Sequence, residues 1–177
     1  MSNLSLYLWG RLSRLGCLVA VLACTLDQVT KVWLLNVLAL GDRGVIRLGP
    51  VLDLALTWNT GISWGLFQTK SALGQWVLLG IKVVAVVLLW AWLARASSRL
   101  VAIGLGLIIG GAIGNAIDRV AHGAVVDFVL FHITTPTFNF TWYVFNLADA
   151  AIVAGVIGLL YESFLGAGVP QKRPDPP

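Results

Sequence analysis

Four long apolar runs limit what this chain can fold into more than any other feature of its sequence. They cover residues 15–40, 72–94, 100–117 and 143–165. A helix of about 20 apolar residues crosses a hydrocarbon layer of about 30 Å, so each run is long enough to be a membrane span. The pattern therefore predicts an all-α membrane protein with four transmembrane helices.

The composition agrees with this prediction. Only 11% of the 177 residues are charged and 58% are hydrophobic, whereas a soluble domain carries about 25% charged residues. The mean hydropathy is +0.87. We expect residues 1–169 to form a single integral membrane domain and the polar, Pro-rich residues 170–177 to be a disordered tail.

The orientation of the spans is predicted from the basic residues beside them. Three clusters fall on one side of the four spans: Arg11 and Arg14, Arg95 and Arg99, and Lys172 and Arg173. The positive-inside rule makes that side cytoplasmic, together with both termini and the tail. Segments 41–70 and 118–142 are then extracytoplasmic, and the partly alternating residues 51–58 predict a small β region.

The net charge of +4 comes largely from basic residues in the short segments that flank the spans. It therefore gives no support to nucleic-acid binding.

Polar side chains gather at the predicted extracytoplasmic ends of the spans. They are Asp27, Lys31, Asn115, Asp118, Arg119, Asn146 and Asp149. Asp127 follows in a short apolar stretch that is typical of a strand or a re-entrant segment. Ionisable groups in spans are costly, and each is by default a functional hypothesis.

Asp127 and Asp149 are candidates for a catalytic pair because they approach one pocket from opposite sides. Two adjacent carboxylates tend to share one proton, which leaves one as a base for water and the other as an acid for a peptide carbonyl. Asn115, Asn146 and Arg119 are placed to hold the ionised partner by hydrogen bonding.

The residues alone leave a structural interpretation open. In it, the two aspartates pair with Arg119 or Lys31 and join helices. For Asp27 and Lys31 the i, i+4 spacing favours an intrahelical ion pair and therefore a supporting role.

The sequence resembles the lipoprotein signal peptidases, the type II signal peptidases of bacteria. Five blocks carry the resemblance in the family's order: residues 27–31 (DQVTK), 59–61 (NTG), 110–119 (GGAIGNAIDR), 123–128 (GAVVDF) and 145–149 (FNLAD). The resemblance implies a membrane aspartic peptidase with Asp127 and Asp149 as its catalytic pair. It also implies that Asn59, Asn115, Arg119 and Asn146 line the site and that Asp27 supports it.

The same resemblance implies the substrate and the location. The expected substrate is a prolipoprotein whose lipobox cysteine carries a diacylglyceryl group, cut on the N-terminal side of that cysteine. The expected place is the bacterial cytoplasmic (inner) membrane, with the active site at the outer, periplasmic face, membrane lipids around it and no partner subunit. Two histidines are too few to hold a metal, and we expect no cofactor. The chain departs from the family where Ile62, Ser63 and Trp64 replace a frequent Ala-Ala-Phe, and where Ala150 replaces a frequent Ser.

Three alternatives concern single features. Residues 61–65 fit the Gly-x-Ser-x-Gly elbow of serine hydrolases, although the chain has no room for the α/β sheet that the elbow needs. Lys82, in mid-span, would suit a proton-coupled membrane transporter. Gly111 belongs to a row of glycines in the third span that favours close helix packing or a groove for an acyl chain.

Overall fold

The computed structural model describes residues 8–61 and 72–166. Within these residues, four helices are long and apolar enough to cross a membrane: α1 Ser13–Asn36, α3 Ala72–Leu93, α4 Arg99–His122 and α5 Leu147–Gly166. The short helix α2, Leu40–Arg43, follows α1. The prediction of four candidate spans agrees with the structure, and the predicted tail at 170–177 lies outside the described residues.

The ends of the helices differ from the predicted ends by up to five residues. Helix α4 continues to His122 and stops at Gly123, whose positive φ of 70° directs its N–H to the Arg119 carbonyl. Asp118 and Arg119 therefore lie on the last turn of a helix and not in the predicted loop 118–142. Helix α5 begins only at Leu147, because Phe145 still exchanges backbone hydrogen bonds with Val129.

Helix α4 lies at the centre of the bundle and is the most buried of the four. Its glycines permit this position. A β-carbon on Gly110 would overlap the backbone of Ala20 in α1, and one on Gly104 would lie 2.9 Å from the Gly155 carbonyl oxygen in α5. Small residues let helix backbones approach closely in a bilayer, where burial of apolar surface gives helices no advantage over contact with lipid.

A four-stranded antiparallel sheet lies at the end of the bundle where α4 ends and α5 begins. Its strands are β1 Ile46–Arg47, β2 Leu52–Asn59, β3 Val125–Thr134 and β4 Asn139–Thr141, in that spatial order. This confirms the predicted β region and extends it to β3 and β4. A cluster of Leu34, Leu40 and Phe128 packs the sheet against the end of α1. Asn59 is paired with Val125, and Thr57 with Asp127, so β2 and β3 bring their polar residues to the bundle.

The glycine packing gives a test of the fold. We expect Gly110→Ala to lower the free energy of unfolding by about 1–3 kcal/mol, because the added methyl group forces α1 and α4 apart. Gly80→Ala is the matched control, since Gly80 is also helical and a β-carbon there meets nothing within 4 Å. Unfolding in lipid bicelles would measure both, and equal stability of the two variants would contradict the packing.

Candidate active site

Asp127 lies on β3 and is 2% exposed. Its Oδ1 accepts a hydrogen bond from the Asn146 amide at 2.6 Å, and its Oδ2 accepts one from the Asn59 amide at 3.1 Å. The Asn59 amide is itself oriented, because its oxygen accepts the Gly61 N–H at 2.9 Å. Strand pairing thus supplies both Asp127 and one of its two hydrogen-bond donors.

Asp149 lies in the first turn of α5. Its carboxylate accepts the Asn146 backbone N–H at 3.3 Å, while its own N–H donates to the Asn146 side-chain oxygen at 2.9 Å. This reciprocal pair is a capping box, with Asp in place of the more usual Glu. The Asn115 amide donates to the other carboxylate oxygen at 2.9 Å. The Asp149 carboxylate thus lies at the N-terminus of α5, the end at which a helix dipole attracts negative charge.

Asn146 connects the two aspartates. Its amide nitrogen donates a hydrogen bond to Asp127 and its backbone N–H donates one to Asp149. Its side-chain oxygen accepts a hydrogen bond from the Asp149 N–H. The same amide nitrogen also lies 3.0 Å from the Asn115 side-chain oxygen. Asp127, Asp149 and Asn59 together line a cavity of about 610 Å³. The predicted pair therefore opens onto one space.

The pKa of Asp127 is raised to about 7. Burial is the main cause and the nearby charge of Asp149 is the next, while hydrogen bonds from Asn59 and Asn146 lower the pKa and oppose both. Asp127 is buried, whereas Asp149 is partly exposed at the start of α5, so the two carboxylates lie in unequal environments. Unequal environments are what separate an acid from a base in a carboxylate pair.

A buried ion-pair network lies behind the pair. The Lys31 ammonium is 2% exposed and lies 2.7 Å from both Asp27 and Asp118. It also donates to the Asn115 side-chain oxygen at 3.2 Å, and the Gln28 amide donates to Asp118 at 2.8 Å. The predicted i, i+4 pair of Asp27 and Lys31 is confirmed.

Each acid of this network holds the backbone beside one member of the pair. Asp27 accepts the Ala148 N–H at 3.0 Å, next to Asp149. Asp118 accepts the Val126 N–H at 3.1 Å, next to Asp127. Lys31 therefore links, through two carboxylates, the strand and the helix that carry the predicted pair.

Arg119 lines a cavity of about 90 Å³ together with Asn59 and Asp149, as the resemblance implies, but its hydrogen bonds go elsewhere. Its guanidinium donates to the Gln75 side chain and to the Gly61 carbonyl, and no hydrogen bond joins it to a carboxylate within residues 8–61 and 72–166. Gln75 donates in turn to the Thr60 carbonyl at 2.7 Å. Arg119 therefore holds the segment just after β2, two residues beyond Asn59, against α3 and α4.

Gly111 was predicted to permit either close helix packing or a groove for an acyl chain, and the structure agrees with only the first. A β-carbon there would overlap the Ala148 carbonyl and lie 2.8 Å from Ile152, so its space is filled by α5. The prediction of an open groove for an acyl chain beside Gly111 is wrong, and the prediction of helix packing is right. Ser63, of the hydrolase-like elbow, lies outside the described residues.

Three contributors to the site were missed or underrated. Gln28 and Asp118 lie inside the blocks that carry the family resemblance but had no assigned role, and Gln75 lies in an apolar run. The spacing on α1 was a usable signal, since Lys31 is four residues from Asp27 and three from Gln28, and side chains at these spacings are neighbours on a helix. Nothing local indicated Gln75, because its partners come from distant parts of the chain.

A family model described as "Signal peptidase (SPase) II" matches residues 19–165. The protein is therefore a membrane protease of the aspartic type. The chain belongs to the signal peptidase II family, which confirms the resemblance found in the sequence.

Individual relatives agree. The lipoprotein signal peptidase of Nitrobacter hamburgensis is 62% identical over 152 residues, which cover 86% of this chain and 93% of that protein. That of Rhodopseudomonas palustris strain TIE-1 is 56% identical over 154 residues, covering 87% and 94%. A solved structure described as a bacterial membrane enzyme superposes with a TM-score of 0.74 at 25% identity, over 92% of this chain and 95% of that one.

The network around Lys31 gives a second test. We expect Lys31→Met to cost about 3–5 kcal/mol of stability, because it leaves two buried carboxylates without their cation. Arg43→Met, which removes an exposed cation, is the control. The double variant Lys31→Met/Asp118→Asn should lose less than the two single variants together, since it also removes an unpaired charge. Strict additivity in bicelle unfolding would argue against a shared network.

Proposed function

We propose that this chain is an aspartic endopeptidase that removes the signal peptide from diacylglyceryl-modified prolipoproteins. Cleavage falls on the N-terminal side of the lipidated cysteine. Membership of the signal peptidase II family supports the protease activity. The names of the relatives, lipoprotein signal peptidases that cover nearly the same length, support the substrate class.

The observation that carries the mechanism is the unequal pair joined by Asn146. Asp127, with its pKa raised to about 7, is the acid of the pair. Asp149, held by the Asn115 amide and the start of α5, is the base. Asn59 and Asn146 hold the Asp127 carboxyl group in position through its two oxygens.

The reaction follows from these two roles. Asp149 takes a proton from a water molecule as the water oxygen attacks the scissile carbonyl carbon, and Asp127 gives its proton to the carbonyl oxygen. The resulting diol collapses when Asp149 passes its proton to the leaving cysteine nitrogen and Asp127 recovers one from a hydroxyl group. The peptide bond is broken and the pair returns to its starting state.

The cavity suits a substrate that stays in the bilayer. Beyond the two aspartates, its wall continues along α5 through Val153 and Ile157, which are 57% and 60% exposed on the lipid side of the helix. Trp142 and Tyr143 lie at its other end, beside the sheet. Such aromatic residues are enriched at membrane interfaces. We place this end at the periplasmic face of the inner membrane, with both termini in the cytoplasm, in accordance with the basic residues near the other ends of the spans.

The pair is tested by cleavage of a purified diacylglyceryl prolipoprotein. Asp127→Asn and Asp149→Asn should each fold and lose at least about 10³-fold in rate, as expected when a general acid or base is removed. Asp42→Asn, at an exposed aspartate of α2, is the matched control. Ser63→Ala should keep its activity. Cleavage by either Asn variant at the parent rate would contradict the assignment of Asp127 and Asp149 as the catalytic pair.

The pH profile tests the division of roles. Since Asp127 has a pKa raised to about 7 and acts in its protonated form, kcat/KM should fall as the pH rises through that value. Asn59→Ala removes a hydrogen bond that lowers this pKa, so the residual activity should persist to higher pH. Asn139→Ala, at an exposed amide of β4, should leave the profile in place. A shift of the Asn59→Ala profile to lower pH would contradict the roles.

A further inference from the structure

Lys82 is a charged residue that the proposed mechanism does not use. It is the eleventh of the 22 residues of α3 and thus lies in the middle of a span. Within residues 8–61 and 72–166, no hydrogen bond or ion pair engages its ammonium group. An ionisable residue at such depth is expensive unless it faces a cavity or a partner.

Lys82 faces two cavities at once. One is a small space of about 90 Å³ that it shares with Asn115 and Asp149, beside the proposed catalytic pair. The other is a groove of about 430 Å³ between α3 and α4. The lysine therefore stands where the active site and the groove meet.

The groove is apolar apart from Lys82. Its walls are formed by aliphatic side chains, among them Val83, Val86 and Val87 of α3 and Ala112, Ile113 and Ala116 of α4. Val87 is 60% exposed and Ile113 37% exposed, so the groove opens sideways to the lipid. Its volume falls within the range of about 300–1,000 Å³ that is common for small-molecule sites.

We propose that Lys82 binds an ester carbonyl of the substrate's diacylglyceryl group while one of its acyl chains lies in the groove between α3 and α4. This inference rests on the proposed function, because the substrate class comes from it. It adds a binding residue and a lipid subsite to the catalytic pair.

The chemistry of the two partners supports this assignment. An ammonium group has three donors and no acceptor, and an ester carbonyl is an acceptor without a donor. The diacylglyceryl cysteine carries its esters on the glyceryl group bonded to its sulfur, and the nitrogen of the same residue forms the peptide bond to be cut. An ammonium beside Asp149 with a lipid groove behind it matches that order of groups.

The shape of the groove favours an acyl chain over the substrate's signal-peptide helix. An α-helix with its side chains is about 10–12 Å wide, comparable with the separation of about 8–10 Å between neighbouring packed helices. The signal-peptide helix is therefore too wide to enter the space between α3 and α4, whereas a single alkyl chain fits there. The larger cavity along α5 is left for the peptide.

The first experiment compares two substrates that differ only in the lipid linkage. One carries the natural diester and the other a dialkyl ether, which keeps the chains but lacks the carbonyl groups. Both are cleaved in nanodiscs of ether lipid, so that bilayer esters do not compete for the lysine. Cleavage of both by the parent enzyme establishes the proposed function independently, and its failure on the diester would count against that function.

We expect Lys82→Met to lose about tenfold in kcat/KM on the diester, equivalent to about 1.4 kcal/mol, mainly through KM, because the variant lacks one charge-assisted hydrogen bond to the substrate. On the ether substrate the variant should stay within about twofold of the parent, because no such bond exists to lose. Lys82→Arg should restore most of the ester preference. Equal losses on both substrates would overturn the proposal, as would no loss on either.

The second experiment fills the groove. Val87→Trp should lower cleavage of substrates with long acyl chains more than that of substrates with short ones. Val84→Trp is the matched control, because Val84 is 59% exposed on the same helix and lines neither cavity. If a bilayer phospholipid occupies the groove instead, Val87→Trp will change cleavage no more than Val84→Trp does, and the acyl subsite is wrong.

Discussion

The ammonium of Lys31 is the interaction on which the rest of the site depends. It lies between two buried carboxylates, and each of those accepts a backbone N–H next to one of the proposed catalytic aspartates. Loss of one charge in such a network leaves the others unpaired in a medium that solvates them poorly. The position of the proposed catalytic pair therefore depends on charged side chains that lie outside the pair itself. This explains how a strand and a helix from different parts of the chain keep a fixed relation at the membrane surface.

Much of the fold could be predicted because a bilayer leaves few options. The four spans follow from apolar runs, and their existence is independent of which side chains meet. The ends of the spans were less predictable: Asp118 and Arg119 read as loop residues, yet Gly123 lets the helix run past them. The glycines of α4 were correctly associated with close packing, but which neighbour fills the space at Gly111 depends on the crossing of α4 and α5. The position at which two helices cross is set by the tertiary structure and cannot be predicted from a local sequence pattern.

The site was predictable in its members more than in their roles. Asp127 and Asp149 stood out because acids are rare near spans, and the spacing of Asp27 and Lys31 indicated their ion pair. The hydrogen bonds of Arg119 were not predictable, because its partners are the Gly61 carbonyl, just after β2, and a side chain of α3. Asn146 was expected among several amides. Its reciprocal bonds with Asp149, together with its bond to Asp127, depend on the exact start of α5.

The ion pair between Asp27 and Lys31 also bears on how the chain enters the membrane. Both residues lie on α1, whereas Asp118 lies far along the chain on α4. During synthesis α1 reaches the bilayer long before α4 exists. Since the two charges are one helical turn apart, they neutralise each other within the helix itself. The first span can thus insert as an electrically balanced segment, and Asp118 joins the lysine only when the bundle assembles. Asp27 thus neutralises Lys31 in the nascent chain, and the same ion pair later helps to hold the folded site in place.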